Sequence, residues 1–262
     1  MVTIGHDGEF FLVRDGVVIP SQDIIPGTKS MPYQMSKGML HRDNAMGEFG
    51  TPPTSNEDEF VQQIIDAKDE IQKVLDTIGV EMLFKPHHIF EPHQLMHPEV
   101  LTFGCEPDFD CYTRTIGKAP DATTVGGLRS AGGHIHFGFK VERSDDLENT
   151  ILAFEQLVGL YSVIHDDDTK RRELYGQAGR HRPKPYGGEY RVSSNFWYNS
   201  EDHMRQMFRR GTAAVNHRRE LAENMEVESV RNAVMTAINT SDAPLAQQLV
   251  EDLHLEEYVN AA

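Results

Sequence analysis

An α+β fold, with a curved and mostly antiparallel sheet covered on one side by helices, is the architecture this sequence predicts. Three observations predict it. Several apolar, strand-like runs carry polar groups at two-residue spacing: Asp7-Gly8-Glu9, His134-Ile135-His136 and Glu189-Tyr190-Arg191. Residues two apart share one face of a strand, so these runs are half polar and half apolar, as in a sheet that is packed on one side only. Long helical periodicities lie between and after the strands, enough to cover the apolar face.

Each element has its own signal. Residues 2–19 read as a hairpin, with a strand from Thr3 to Val13, a turn at Arg14-Asp15-Gly16 and a return strand Val17-Val18-Ile19 stopped by Pro20. Residues 21–38, with Pro26, Gly27, Pro32 and Gly38, read as a loop. A second strand-like stretch, Met39 to Phe49, ends at Gly50-Thr51-Pro52-Pro53. Thr54-Ser55-Asn56 caps a helix whose apolar residues Phe60, Ile64, Ala67, Ile71, Val74, Leu75 and Ile78 recur at three- and four-residue steps, with Gly79 closing it. A strand, Val80 to Phe84, leads into an irregular region over 85–130 of the length that compact enzymes reserve for function. The His-x-His strand (132–140), a helix near 145–165, a basic loop (169–188) and a strand (188–195) follow, and Ser200 caps the first of three helices near 201–222, 226–238 and 243–254. The expected organisation is a catalytic domain over 1–200 with a C-terminal helical extension, 201–262, packed on it.

Composition narrows the partners. The 262 residues hold 25 Lys and Arg against 41 Asp and Glu, a formal net charge of −16, which argues against direct binding to nucleic acid or an anionic membrane. Two cysteines, Cys105 and Cys111, make neither a disulfide framework nor a CxxC zinc pair. With no basic-plus-apolar leader and no apolar run near the roughly 20 residues that span a bilayer, a soluble cytoplasmic protein is expected.

The charged pairs carry the chemistry. Asp7 and Glu9, side by side on a strand, repel unless a cation sits between them; hard dications such as Mg2+ and Mn2+ suit them, and an exposed edge with solvated charges suits them equally. His134 and His136, flanked by glycines, form a ligand or phosphate-contacting pair, a spacing that zinc enzymes share. Glu48, taken alone, is as readily a strand-end charge as a third metal ligand. The stretch from Lys170 to Arg191 concentrates seven of the 25 cations in an acidic chain, and a polyphosphate explains that better than a solvated loop does. No GxxxxGK[ST] loop and no strand-linked GxGxxG is present, so any nucleotide is held without a P-loop or Rossmann turn.

An acidic-x-Glu-Phe-Phe strand, a Glu-x-x-Thr-Pro-Pro strand end, Gly-Gly-His-x-His and an Arg-rich stretch into Glu-Tyr-Arg follow one another in that order. In this the chain resembles the glutamine synthetase and glutamate–cysteine ligase superfamily, and most of all its phage-encoded carboxylate–amine (COOH-NH2) ligase branch. The segments Phe103 to Phe109 and Tyr186 to Arg191 add to the likeness, which runs over about residues 2–200. The resemblance implies a glutamine synthetase-like catalytic domain, in the host cytoplasm if phage-encoded. It implies ATP and two or three Mg2+ or Mn2+ ions as cofactors, with metal ligation by Asp7, Glu9, Glu48, His134 and Glu189. It implies ATP phosphate contacts from Arg180, Arg182, Lys184 and Arg191, with Glu9, His136, Arg182 and Arg191 in catalysis. The first acidic position, often Glu in the superfamily, is the shorter Asp7 here. The implied reaction is ATP-dependent condensation of a small-molecule or peptide carboxylate with an amine donor through an acyl phosphate, and homo-oligomers are compatible with the likeness. A base is needed to deprotonate the amine, and Glu106, Asp108 and Asp110 are its candidates. Two other functions fit parts of the sequence: a zinc hydrolase using His134 and His136 with His87, His88, His93 or His97, and a non-catalytic acidic interaction protein.

Overall fold

The structure is a computed structural model in which residues 1–101, 108–117, 125–166 and 168–261 are described. Its strands are β1 (Thr3–Arg14), β2 (Val17–Ile19), β3 (Tyr33–Met35), β4 (Gly38–Asp43), β5 (Met46–Thr54), β6 (Glu81–Leu83) and β7 (His87–Ile89), then β8 (Phe109–Asp110), β9 (Thr115–Ile116), β10 (Leu128–Ser130), β11 (Gly133–Gly138), β12 (Arg180–Lys184) and β13 (Gly187–Tyr190). The helices are α1 (Glu57–Asp76), α2 (Asp146–Phe154), α3 (Leu160–His165), α4 (Glu201–Asn216), α5 (Arg218–Asn224), α6 (Glu228–Thr240), α7 (Ala243–Asp252) and α8 (Leu255–Asn260).

One sheet dominates, in the order β3-β4-β5-β1-β11-β13-β12-β8-β9, with β2 and β6 flanking the far half of β1. Its pairings are antiparallel throughout. Alternation on the central strands decides which face is covered. Ile4 and Phe10 of β1, Phe49 of β5, Ile135 and Phe137 of β11 and Tyr190 of β13 are buried in one apolar cluster with Phe60 of α1, Phe154 of α2 and Met207 and Phe208 of α4. His6, on that same face, is buried with its ring nitrogens 2.9 Å from the Tyr198 hydroxyl and from Thr51 Oγ1, so it serves the core. Gly8 lies where any Cβ would fall 2.5 Å from the Tyr198 ring, a close approach that only glycine permits. The residues between these, Asp7, Glu9, His134, His136 and Glu189, therefore face the other way. The α+β class and one-sided helical cover match the sequence expectation.

Several boundaries differ from it. The stretch 39–49 is a hairpin, β4 and β5, turned at Asn44 with φ 53°. β5 continues through Pro52 and Pro53 to Thr54. The basic loop contains β12, and the expected strand 188–195 ends at Tyr190. The expected helix 201–222 breaks at His217, and α8 was not anticipated. The helix near 145–165 forms with a π turn at Glu155–Gly159. Beneath the sheet, α4 packs on α1, α2, β1 and β11, so residues beyond 200 share the core of those before it.

Candidate active site

The polar face is assembled by register. Asp7 stands opposite His134, Glu9 opposite Glu48, Glu48 opposite His41, and Glu189 between His136 and Arg182. Six adjacent strands, β4-β5-β1-β11-β13-β12, thus bring their polar alternates to one surface. They line a cavity of about 190 Å³ bounded by Asp7, Glu9, Asp43, Glu48, His134, His136 and Glu189, with Lys29, Arg182, Lys184 and Arg191 as its cations.

Two groups of donors in this cavity are spaced for a cation. Asp7, His136 and Glu189 form one, and Glu9, Asp43 and Glu48 the other; within each, the donor atoms lie within 4.8 Å of one another. Oxygens on opposite sides of Mg2+ stand about 4 Å apart, so small side-chain adjustments would close either group on an ion. His134 adjoins the first group, with Nδ1 2.8 Å from Asp7 Oδ1 and 3.7 Å from Glu189 Oε1. The donors are five carboxylates and one imidazole, an oxygen-rich set suited to Mg2+ or Mn2+.

The charge balance differs between the groups. Burial, then the neighbouring Asp43 and Glu48, push the Glu9 carboxyl well above its ordinary range, although Gly132 N–H donates to Glu9 Oε2 at 2.6 Å. Burial raises Glu48 as well, only partly offset by His41, whose Nε2 lies 3.3 Å away. This group is short of positive charge. Burial opposes ionisation of Asp7, but His134 and His136 outweigh it and hold that carboxyl well below the usual range. Burial and Asp7 likewise oppose ionisation of Glu189, yet Arg191 and the two histidines keep it low. Glu189 also pairs with Arg191, with Arg182 at 3.3 Å and with Lys184 at 3.0 Å. Burial takes His134 down to about 4, with Arg191 adding to the effect, so its imidazole is neutral.

A second cavity of about 660 Å³ opens beside the first group. Met35, Met39, Phe49, Pro52, Pro53 and Tyr186 give it apolar walls, and Asp7, His41, Glu48 and His136 form its polar end. Among the described residues no Lys or Arg lines it.

Asp7, Glu9, Glu48, His134, His136, Glu189, Arg182, Lys184 and Arg191 meet around the first cavity. Arg180 is turned to Asp108 at 3.2 Å and is not among the lining residues. Of the base candidates, Glu106 lies outside the described residues, as does most of its Phe103-to-Phe109 segment. Asp108 sits 4.0 Å from Arg191 Nε, and Asp110 caps a turn by accepting from the Tyr112 and Thr113 N–H groups. His87 and His88 lie on β7, paired with β10, and His93 follows in a short 3-10 turn. Among the described residues neither donor group includes these three or His97. Sequence reasoning missed Asp43, His41 and Lys29. Asp43-Asn44, a turn-forming pair, was the available signal for the first two.

The profile of one protein family, described as phage phiEco32-like COOH.NH2 ligase-type 2, matches residues 124–261. The chain belongs to this family of carboxylate–amine ligases. The match takes in the C-terminal helices, beyond the 2–200 span of the motif likeness, and holds His134, His136, Arg182, Lys184, Glu189 and Arg191. No curated protein sequence matches the chain. Solved structures similar to it include apo GmaS without ligand, at 13% identity and TM-score 0.46, over 98% of this chain and 69% of that one. A novel glutamine synthase homolog follows at 12% and 0.43, over 97% and 66%. Plasmodium falciparum glutamine synthetase is similar at 10% and 0.43, over 82% and 51%.

Proposed function

We propose that this carboxylate–amine ligase is ATP-dependent and works through an acyl phosphate. The observation that carries this reading is the pair of dication-spaced donor groups on one sheet face, flanked by Arg182, Lys184 and Arg191. Carboxylate-rich groups beside clustered guanidinium and ammonium groups suit a triphosphate with its divalent ions better than any neutral ligand. The apolar cavity behind His136 has the size and walls for a base and sugar, which need no charged partner. Divalent ions held by Asp7, His136 and Glu189 and by Glu9, Asp43 and Glu48 would neutralise phosphate charge and polarise the phosphoryl group.

The remaining work falls to the chain's own side chains. A substrate carboxylate oxygen attacks the γ-phosphorus and the bond to ADP breaks; Arg182, Lys184 and Arg191 stabilise the charge on the moving phosphoryl group. The amine then attacks the acyl carbon, phosphate leaves, and an amide or isopeptide bond remains. The amine proton passes to a carboxylate base, and Glu9, its proton affinity raised first by burial, stands on the cavity wall to receive it. The substrates are a carboxylate and an amine of small-molecule or peptide size.

The test is a screen of amino acids, peptides and amines for ADP release with Mg2+ and ATP, with mass spectrometry of the product. The expected product is the condensed amide, with water lost overall. Alanine at Glu9, His134 or Arg191 should cut substrate-dependent ADP release by at least a hundredfold. Full turnover in all three variants contradicts the proposal.

A further inference from the structure

Tyr186 occupies the turn between β12 and β13 and lines the larger cavity, which His136 and Asp7 share with the smaller one. Its ring is about half exposed (48%), yet its hydroxyl points inward, 2.7 Å from His136 Nδ1. The opposite ring nitrogen, Nε2, lies 3.0 Å from Asp7 Oδ2. A tyrosine that served only solubility would turn its hydroxyl to water, so the inward orientation calls for an account. The backbone fixes it. Phe139 N–H donates to the Tyr186 carbonyl at 3.0 Å, tying the turn to β11 next to His136. Gly187 follows at φ 151°, where a Cβ would fall 2.2 Å from the Phe137 carbonyl oxygen, so the turn lies as close to β11 as a chain can.

We propose that Tyr186 is a positioning residue for the first cation site: its hydroxyl holds the His136 imidazole in the orientation and tautomer in which Nε2 offers a lone pair beside Asp7 and Glu189. This rests on the divalent-cation reading above. An imidazole can ligate through Nε2 only when its proton sits on Nδ1, and that N–H then needs an acceptor. The tyrosine oxygen is the acceptor within reach, and its own proton can be given to solvent, to which the half-exposed side chain is open. Without a cation the same hydroxyl donates to Nδ1, and Nε2–H donates to Asp7. One group thus satisfies both tautomers by rotating its O–H bond, which a carboxylate or a carbonyl could not do. Partners of this kind behind a ligating histidine typically change metal affinity by about 10- to 100-fold.

The test uses the full chain with Mn2+ alone, followed by electron paramagnetic resonance of the free ion. Tyr186→Phe keeps the ring and removes only the oxygen. The expected result is a 10- to 100-fold weaker first site, with the second site, around Glu9 and Glu48, unchanged; Asp7→Asn identifies which step of the titration belongs to the first site. Long-range 1H–15N spectra of the Mg2+-bound protein should show His136 protonated on Nδ1 in the wild type and a tautomer mixture in the variant, a readout that packing alone would not move. Equal Mn2+ affinities and identical tautomers in both proteins overturn the proposal while leaving the ligase reading standing. A wild-type chain that binds no Mn2+ removes both.

Discussion

At the scale of single residues, proton affinity separates groups that the sequence presents as equivalent acids. Glu155, in the π turn, is fully buried and accepts from the hydroxyls of Tyr190 at 2.8 Å and Tyr112 at 3.1 Å. Burial raises its carboxyl from 4.5 to about 7, the hydrogen bonds offsetting only part of the rise. Between those two values the folded protein keeps a proton that the unfolded chain has released. The stability this group contributes is therefore complete below pH 4.5 and is lost as pH rises towards about 7. Denaturant unfolding measured across that window should fall more steeply with pH in the wild type than in Glu155→Gln, by up to roughly 1.4 kcal/mol per pH unit. Equal slopes would place the proton elsewhere. The paired residues of the active face were legible at this scale because a period of two is local: Asp7 with Glu9, His134 with His136 and Glu189 with Arg191 needed only their strands. Lys29 was not legible, since the folding of a loop over a site leaves no periodic trace.

At the scale of elements, helix α1 shows a sequence signal realised. Asn56 is its N-cap, with the side-chain oxygen accepting from Glu59 N–H at 2.9 Å, and Phe60, Ile64, Ala67, Ile71 and Leu75 form its buried stripe, whereas Val74 and Ile78, expected in that stripe, are exposed. Asn56→Ala should cost about 1 kcal/mol, read as a lower denaturant midpoint with an unchanged slope. The misread elements have equally definite causes. Residues 39–49 look like one apolar strand because the turn at Asn44 and Ala45 has no glycine or proline; the reversal rests on Asn44 tolerating a positive φ. That reversal sets His41 opposite Glu48 and brings Asp43 into the second donor group, so the one member of that group that the sequence did not reveal is the one beside the turn. β12 was hidden by Pro183, which argues against a strand, although Arg180, Arg182 and Lys184 already alternate at strand spacing. The same alternation sends Arg182 and Lys184 into the cavity. Arg180, one step nearer β8, meets Asp108 instead.

At the scale of the whole molecule, the sheet acts as a sorting device. Its lower face takes the apolar alternates and packs them on α1, α2 and α4, while its upper face collects carboxylates, imidazoles and cations from six neighbouring strands. Segments far apart in sequence, Asp7 and Glu189 among them, meet because β1, β11 and β13 are adjacent, an order that no local pattern encodes. The family match covers the half with the histidines and arginines; the acidic β1 and β5 lie outside it and are joined to that half by the pairing of β1 with β11 and by the packing of α4 on β1 and α1. The proposed reaction requires two divalent ions on this face. Anomalous diffraction from crystals soaked in Mn2+ and a non-hydrolysable ATP analogue measures this directly. The account predicts one peak among Asp7, His136 and Glu189 and a second among Glu9, Asp43 and Glu48. A cavity without manganese, or manganese bound only elsewhere on the chain, would contradict it.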